Sequence, residues 1–310
     1  MTFAQRQRRT GGAGRPAADD TQPRPLLAAI WMLGAVTAFS SMAVAGRAVS
    51  FELDTFEIML FRSLIGIAVV LAVGSATGHL REVGTNRLGL HLIRNLSHFT
   101  GQNLWFYAIT VIPLAQVFAL EFTMPIWVAL LAPLVLGERL TPARLATAAI
   151  GFAGILIVAR PSPANLDPGT ITAALAAIGF AGSALFTKLL TRDQSITCIL
   201  FWLTVMQAAF GLICAGYDGD IALPSAPSLP WIAVIGLAGL TAHFCLTTAL
   251  SLAPATIVMP FDFLRLPVIA LVGVWLYGEP LDAFVLAGAA IIFGANYVNL
   301  WAERRRPRPA

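Results

Sequence analysis

From Leu26 to Trp301 apolar side chains follow one another almost without interruption, and the breaks are short clusters of Gly, Pro and charged residues. A helix needs about 20 apolar residues to cross the hydrocarbon of a bilayer. Cut at its breaks, the chain supplies ten such spans, at about 26 to 46, 55 to 77, 88 to 109, 112 to 136, 140 to 159, 169 to 189, 196 to 216, 229 to 251, 254 to 277 and 281 to 301. Barrel strands would alternate apolar with polar residues over about ten positions. These segments are apolar on every side, so helices are predicted throughout. The third span differs in texture: His91, Arg94, Asn95, His98, Gln102 and Trp105 recur in it every three or four residues, which lines them up on one helix face.

The stretch from Ile112 to Pro161 recurs 141 residues later without a gap, placing Pro113 on Pro254, Glu121 on Asp262, Gly137 on Gly278 and Glu138 on Glu279. The same offset carried towards the N-terminus places Phe39 on Phe180, Arg47 on Lys188, Thr100 on Thr241 and Ala108 on Ala249. A register kept this long indicates duplication. Each copy holds five spans. Five is odd, so the second copy must cross the membrane in the opposite sense, and a pseudo-two-fold axis in the membrane plane relates the halves.

The predicted fold class is therefore an all-α integral membrane protein of ten transmembrane helices, built as two inverted five-helix repeats at 26–160 and 161–302. A disordered basic tail at 1–25 and a basic tail at 303–310 flank them. Proteins built this way keep their sites near mid-depth between the halves, and the symmetry offers two nearly equivalent arrangements, each open to one side.

Composition agrees. Of 310 residues, 57% are hydrophobic and 12% charged, against about a quarter charged in soluble domains, and mean hydropathy is +0.77. The excess behind the net charge of +4 sits in the two tails, so it speaks for orientation and contact with the lipid bilayer and not for nucleic acid. With the N-terminus inside, the inner segments collect 15 of the 20 Lys and Arg, the outer connections hold only Arg47 and Arg160, and Arg62, Arg94 and Arg265 lie within spans. Both termini are thus expected in the cytoplasm. The apolar run behind the N-terminal tail is not read as a cleaved signal, because its copy at 169 to 189 makes it part of the repeat. Cys198, Cys214 and Cys245 are odd in number and scattered through spans, as small packing residues are.

The sequence resembles the ten-helix EamA-type branch of the drug/metabolite transporter superfamily. The resemblance rests on Pro125 interrupting the fourth span, on Gly137-Glu138-Arg139-Leu140 before Thr141-Pro142, on Gly151-Phe152-Ala153-Gly154 with Arg160-Pro161, and on the echo Tyr277-Gly278-Glu279-Pro280. It implies a carrier of the bacterial inner membrane with both tails cytoplasmic and a central cavity lined by spans one, three, four, six, eight and nine. The second copy has Pro280 in place of Arg139 and Leu266 in place of Pro125, so the two ends are not expected to gate identically.

A charge at the bilayer centre costs about 2.5 to 3.5 kcal/mol on insertion scales, so the polar face of the third span is predicted to look into a wet cavity or onto a partner. In one reading Arg94 holds a carboxylate or phosphate while His98 and Gln102 hydrogen-bond the cargo. In the other, Arg94 and His91, near the cytoplasmic end, reach out to water. Glu121 and Asp262 occupy equivalent mid-span positions, and buried acids of this kind bind and release protons or hold a substrate amine. Asp262 has a second reading, an ion pair with Arg265 three residues on, whereas Glu121 has no cation three or four residues away. His243 falls on Gln102 in the repeat and is placed at the same cavity, walled by Trp105, Phe39 and Phe180. Arg62 is assigned to a structural ion pair with Asp54 or Glu57, and Glu138 and Glu279 to helix ends. The candidate substrate-binding set is Arg94, His98, Gln102, Trp105, Glu121, His243, Asp262 and Arg265.

No cofactor, metal or catalytic group is expected. The P-loop, His-Glu-x-x-His and Gly-x-Ser-x-Gly strings do not occur, and His91 and His98 are too far apart along the helix for a metal pair. The favoured function is a secondary transporter that moves a small amphiphilic metabolite, an amino acid or related zwitterion, by alternating access. Export stands first, proton-coupled uptake through Glu121 or Asp262 second, and a lipid flippase third. Protons are the candidate coupling ion, and a homodimer is compatible with the sequence.

Overall fold

The computed structural model describes residues 24–137, 142–160, 167–190, 192–217, 219–252, 261–262 and 264–304, and among them every regular element is a helix. α1 (Pro25–Val49) and α2 (Thr55–Thr77) lead through a 3-10 turn, His79–Glu82, to α3 (Leu88–Val111), α4 (Leu114–Glu121), α5 (Met124–Leu136) and α6 (Pro142–Ala159). The second half contains α7 (Pro168–Leu190), α8 (Ile196–Ala215), α9 (Leu229–Leu252), α10 (Arg265–Tyr277) and α11 (Ala283–Arg304). Most of the two basic tails and the span end from Glu138 to Thr141 lie outside the described residues.

Six stretches are long and apolar enough to cross a bilayer, at 26–49, 55–77, 114–136, 168–190, 196–215 and 229–246, with shorter apolar helices at 148–159, 265–277 and 283–295. α3 has the length, 24 residues, but its polar stripe keeps it out of that set.

Local chemistry sets the helix ends. The Asp54 carboxylate accepts from the Glu57 N–H and Glu57 accepts from the Asp54 N–H, a reciprocal cap on α2. Gly137 and Gly278 close α5 and α10 at equivalent repeat positions, with φ of 69° and 65°, a left-handed conformation that glycine adopts at little steric cost. The fourth span breaks as its proline predicts: α4 stops at Glu121, Phe122 and Thr123 turn, and α5 opens with Pro125 in its first turn, where a missing N–H leaves no bond unmade. The ninth span breaks at the same repeat position, with Phe261 and Asp262 helical, Leu264 in a turn and α10 starting at Arg265. Leu266 does replace Pro125, but Pro267 supplies the first-turn proline one residue later.

α1 lies along α9, α3 along α7, α2 against α8, and α6 against α11. Exchanging equivalent helices of the two halves returns the same set of pairs, because α1 with α9 becomes α7 with α3 and the other two map onto themselves. Small residues allow the close crossings. A Cβ on Gly179 would stand 2.8 Å from the Gly101 Cα, and the equivalent positions on the α1–α9 side are the buried Ala38 and Ala242. Gly154 and Gly288 do the same for α6 and α11. Outward faces carry large apolar residues such as Leu134, Ile213, Leu271 and Trp275, which are 66 to 90% exposed. Such a surface suits acyl chains and not water.

One end of the bundle is tied shut across the halves. Arg47 pairs with Glu279 and donates to the carbonyls of Ile109 and Ile112. The other Glu279 oxygen accepts from the Leu114 N–H at 2.9 Å. Arg160 pairs with Asp282, Glu57 accepts from the Ala222 N–H at 2.6 Å, and Glu52 accepts from Ser225 and Ser228. The hydroxyl of Ser228 and then the N–H and hydroxyl of Ser225 hold the Glu52 carboxyl below its ordinary range. That staple is therefore in place at neutral pH and is lost as pH falls through the folded-state value. At the opposite end, Arg87 pairs with Asp193 and the Trp202 indole donates to the Gly84 carbonyl at 2.8 Å.

Candidate functional site

The two broken spans bring their acids to one cation. Arg265, at the start of α10, donates through Nη1 to Glu121 Oε1 at 3.1 Å and through Nη2 to Asp262 Oδ2 at 2.6 Å. The second Glu121 oxygen accepts from the Trp105 indole at 2.9 Å. Three rings surround the guanidinium, with Phe39, Phe122 and Phe118 centroids 4.7, 5.3 and 5.6 Å from Cζ. The cluster holds two carboxylates and one guanidinium, one from each broken span and none more than 15% exposed at the side chain. Both Glu121 oxygens are engaged. The unspent atoms are Asp262 Oδ1 and Arg265 Nε, buried and without a partner among the described residues.

Sequence spacing anticipated the pair of Asp262 with Arg265. It did not anticipate that Glu121, with no cation on its own helix, takes the same Arg265 from the other half, since the partners are 144 residues apart. The two acids consequently differ: both Glu121 oxygens are bonded, whereas one Asp262 oxygen has no partner among the described residues.

A strip of rings leads away from this cluster. Phe39 meets His243 edge-on at 5.6 Å between centroids, His243 lies 6.3 Å from His98, and His98 meets Phe180 at 6.0 Å. Gln102 is buried with its Nε2 lacking a partner among the described residues, as does His98 Nδ1. The polar face of α3 thus turns inward as predicted: His91, Arg94, Asn95, His98, Gln102 and Trp105 are all at most 5% exposed.

That burial removes the reading in which Arg94 and His91 reach out to water. Arg94 instead donates to Thr187 Oγ1 at 3.1 Å and Asn95 Oδ1 at 2.8 Å, while the His91 ring tilts against Trp202 at 6.3 Å. Gln207 donates to the Asn95 carbonyl at 3.0 Å, so α8 closes behind the stripe.

Arg62 corrects a sequence assignment. Glu57 is turned back to the Asp54 and Ala222 N–H groups, and among the described residues Arg62 makes no ion pair. It lines a cleft between α2, α8 and α9 that also reaches Thr204, Gln207 and His243. The signal was present as a mid-span cation, but neighbouring acids in the sequence drew it to the wrong partner.

A sequence profile described as the EamA-like transporter family matches residues 26–160 and again 167–301. A riboflavin transporter of Brucella anthropi is 32% identical over 271 residues, covering 86% of this chain and 95% of its own. One of Rhizobium johnstonii is 31% identical, over 92% of this chain and 94% of its own. An S-adenosylmethionine uptake transporter of Rickettsia felis is 26% identical, over 89% and 92%. A crystal structure superposes with a TM-score of 0.63 at 21% identity, over 91% of this chain and 100% of its own, a likeness of fold alone.

Proposed function

The chain belongs to the EamA-like transporter family and is a multi-pass membrane transporter of small metabolites; on that premise we propose that its cargo is a small heteroaromatic metabolite bearing a cationic or hydrogen-bond-donating group, bound between Asp262 and the ring strip. The observation that carries this reading is the unspent Asp262 oxygen, on a carboxylate paired with the Arg265 that reaches Glu121 of the other half and lies over Phe39, the ring that in turn meets His243. A flat ring fits between aromatic walls by stacking and edge contacts, and a buried carboxylate oxygen accepts from an amine or hydroxyl.

Riboflavin and S-adenosylmethionine, named for the relatives, both carry a fused heteroaromatic ring and a hydroxylated five-carbon sugar unit, open in the first and cyclic in the second. S-adenosylmethionine is also an amino-acid zwitterion, the class expected from the mixed charges of the site. Uptake takes precedence over the export first expected, because the Rickettsia relatives are named for uptake. Protons are the coupling ion in this reading.

The wider architecture belongs to the same proposal. Ten crossings comprise the six long apolar stretches, α3, α6, the broken ninth span and α11. They form two inverted five-helix repeats, 26–160 and 161–302, in the bacterial inner membrane with both termini cytoplasmic. The self-mapping helix pairs, the odd number of spans per copy and the distribution of Lys and Arg support it. The Arg47–Glu279 end then faces outward and is closed.

Proteoliposomes given labelled riboflavin or S-adenosylmethionine should show saturable uptake that an inward proton gradient accelerates. Asp262→Asn should lower uptake at least tenfold while leaving the gel-filtration profile intact. Undiminished uptake by Asp262→Asn would remove that oxygen from the binding site.

A further inference from the structure

We infer that Arg62 and Arg94 form an anion subsite beside the ring strip, so that preferred cargo carries a phosphate or carboxylate group at the end away from Asp262. The inference rests on the transport site proposed above.

A guanidinium offers five N–H donors and remains charged in proteins. Arg62 spends almost none of them: its one hydrogen bond among the described residues is a long contact from Nη1 to Met59 Sδ, 3.6 Å. Arg94 spends two, on Thr187 and Asn95. Arg62 lines one cleft with His243 and Gln207, and Gln207 donates to the carbonyl of Asn95, whose side-chain oxygen accepts from Arg94. Nothing anionic among the described residues answers them. The carboxylates that might do so are taken, Glu121 and Asp262 by Arg265, and Glu52 and Glu57 by the loop that follows α8. Two like charges in a weakly screened interior repel each other and carry a desolvation cost, and an oxyanion between them offsets both.

The backbone has made room for this arrangement. The Arg62 guanidinium lies over Gly239, where a Cβ would stand 3.0 Å from Nη2 and 3.2 Å from Nε. In the repeat His98 occupies the equivalent position of the first half, so the halves differ where the cation lies. The same cleft is lined by the buried Ser63, Thr204 and Gln207 as neutral polar neighbours. Arg94 tied to Thr187 is positioned; Arg62 remains able to swing onto an anion. With Asp262 paired to the Arg265 that lies over Phe39, and Arg62 in a cleft with the next ring, His243, the site is complementary to a molecule with a donor, a flat ring and an oxyanion.

The test uses the purified full-length protein in detergent. Sodium phosphate, compared with acetate and chloride at constant ionic strength, should raise the thermal unfolding midpoint saturably. Riboflavin 5′-phosphate should bind at least tenfold more tightly than riboflavin. Arg62→Gln should shrink that preference to within twofold and abolish the phosphate effect without altering riboflavin binding, and Arg62→Lys should retain most of both. Gly239→Ala, which crowds the guanidinium without removing its charge, should reproduce the Arg62→Gln result and serves if that variant folds poorly. An acetate effect as strong as that of phosphate would assign the subsite to a carboxylate. Equal phosphate stabilisation of parent and Arg62→Gln, or equal binding of riboflavin and its phosphate, would overturn the subsite. If neither flavin binds while phosphate still stabilises through Arg62, the ring-site reading fails and the anion subsite stands.

Discussion

Arg265→Met is expected to abolish transport and to lower folded stability by about 3 to 5 kcal/mol, because it strands two buried carboxylates beside each other without their cation. Glu121 would keep only the Trp105 donor, and Asp262 would lose its one hydrogen-bond partner among the described residues. The three aromatic rings now facing the guanidinium would face a thioether, which restores packing and not charge. The triple variant Glu121→Gln, Asp262→Asn, Arg265→Met removes all three charges and should recover most of the stability while remaining inactive. Thermal unfolding in detergent separates the two effects. Similar stability of parent and Arg265→Met would show that the cluster is not the electrostatic junction between the halves.

Glu279→Ala should open the end that the structure shows closed. The pair it breaks is largely buried, with side-chain exposures of 10% for Arg47 and 14% for Glu279, and the Leu114 N–H loses its acceptor in the same step. Unpairing such a group costs about 3 to 5 kcal/mol. If that cost falls on the closed arrangement alone, the population moves by about two to three and a half powers of ten, at about 1.4 kcal/mol per tenfold. The readout is the rate at which an impermeant reagent labels a thiol placed at Ala108, which is fully buried next to the Ile109 carbonyl that Arg47 holds. At least tenfold faster labelling is expected, and an unchanged rate would reduce the pair to a packing contact. The repeat places Glu138 and Lys188 at the positions of Glu279 and Arg47. Glu138→Ala is therefore expected to shift accessibility in the opposite sense.

Much of this architecture was written in local pattern. The stripe on α3 was legible because six polar residues at helical spacing have one direction to point, and all six are buried. The broken fourth span was legible in Pro125, and the glycine ends of α5 and α10 in Gly137 and Gly278. What escaped depends on contacts between the halves. Spacing along one helix finds Asp262 with Arg265 at three residues, but no helix periodicity relates Glu121 to Arg265. Arg62 was misassigned for a geometric reason: five residues after Glu57 it lies about 140° round the helix, on a different face. Its true neighbours come from α8 and α9, reached through glycines.

Alternating access requires a polar site at mid-depth that both sides of the membrane reach in turn. Gln102→Cys in a chain with Cys198, Cys214 and Cys245 replaced by Ala or Ser places one thiol at that site, 4% exposed in the closed arrangement. The thiol should be labelled by an impermeant reagent applied from either side of sealed vesicles, and saturating cargo should protect it in both cases. Labelling from neither side, or reaction only with a lipid-soluble reagent and no protection by cargo, would contradict the claim.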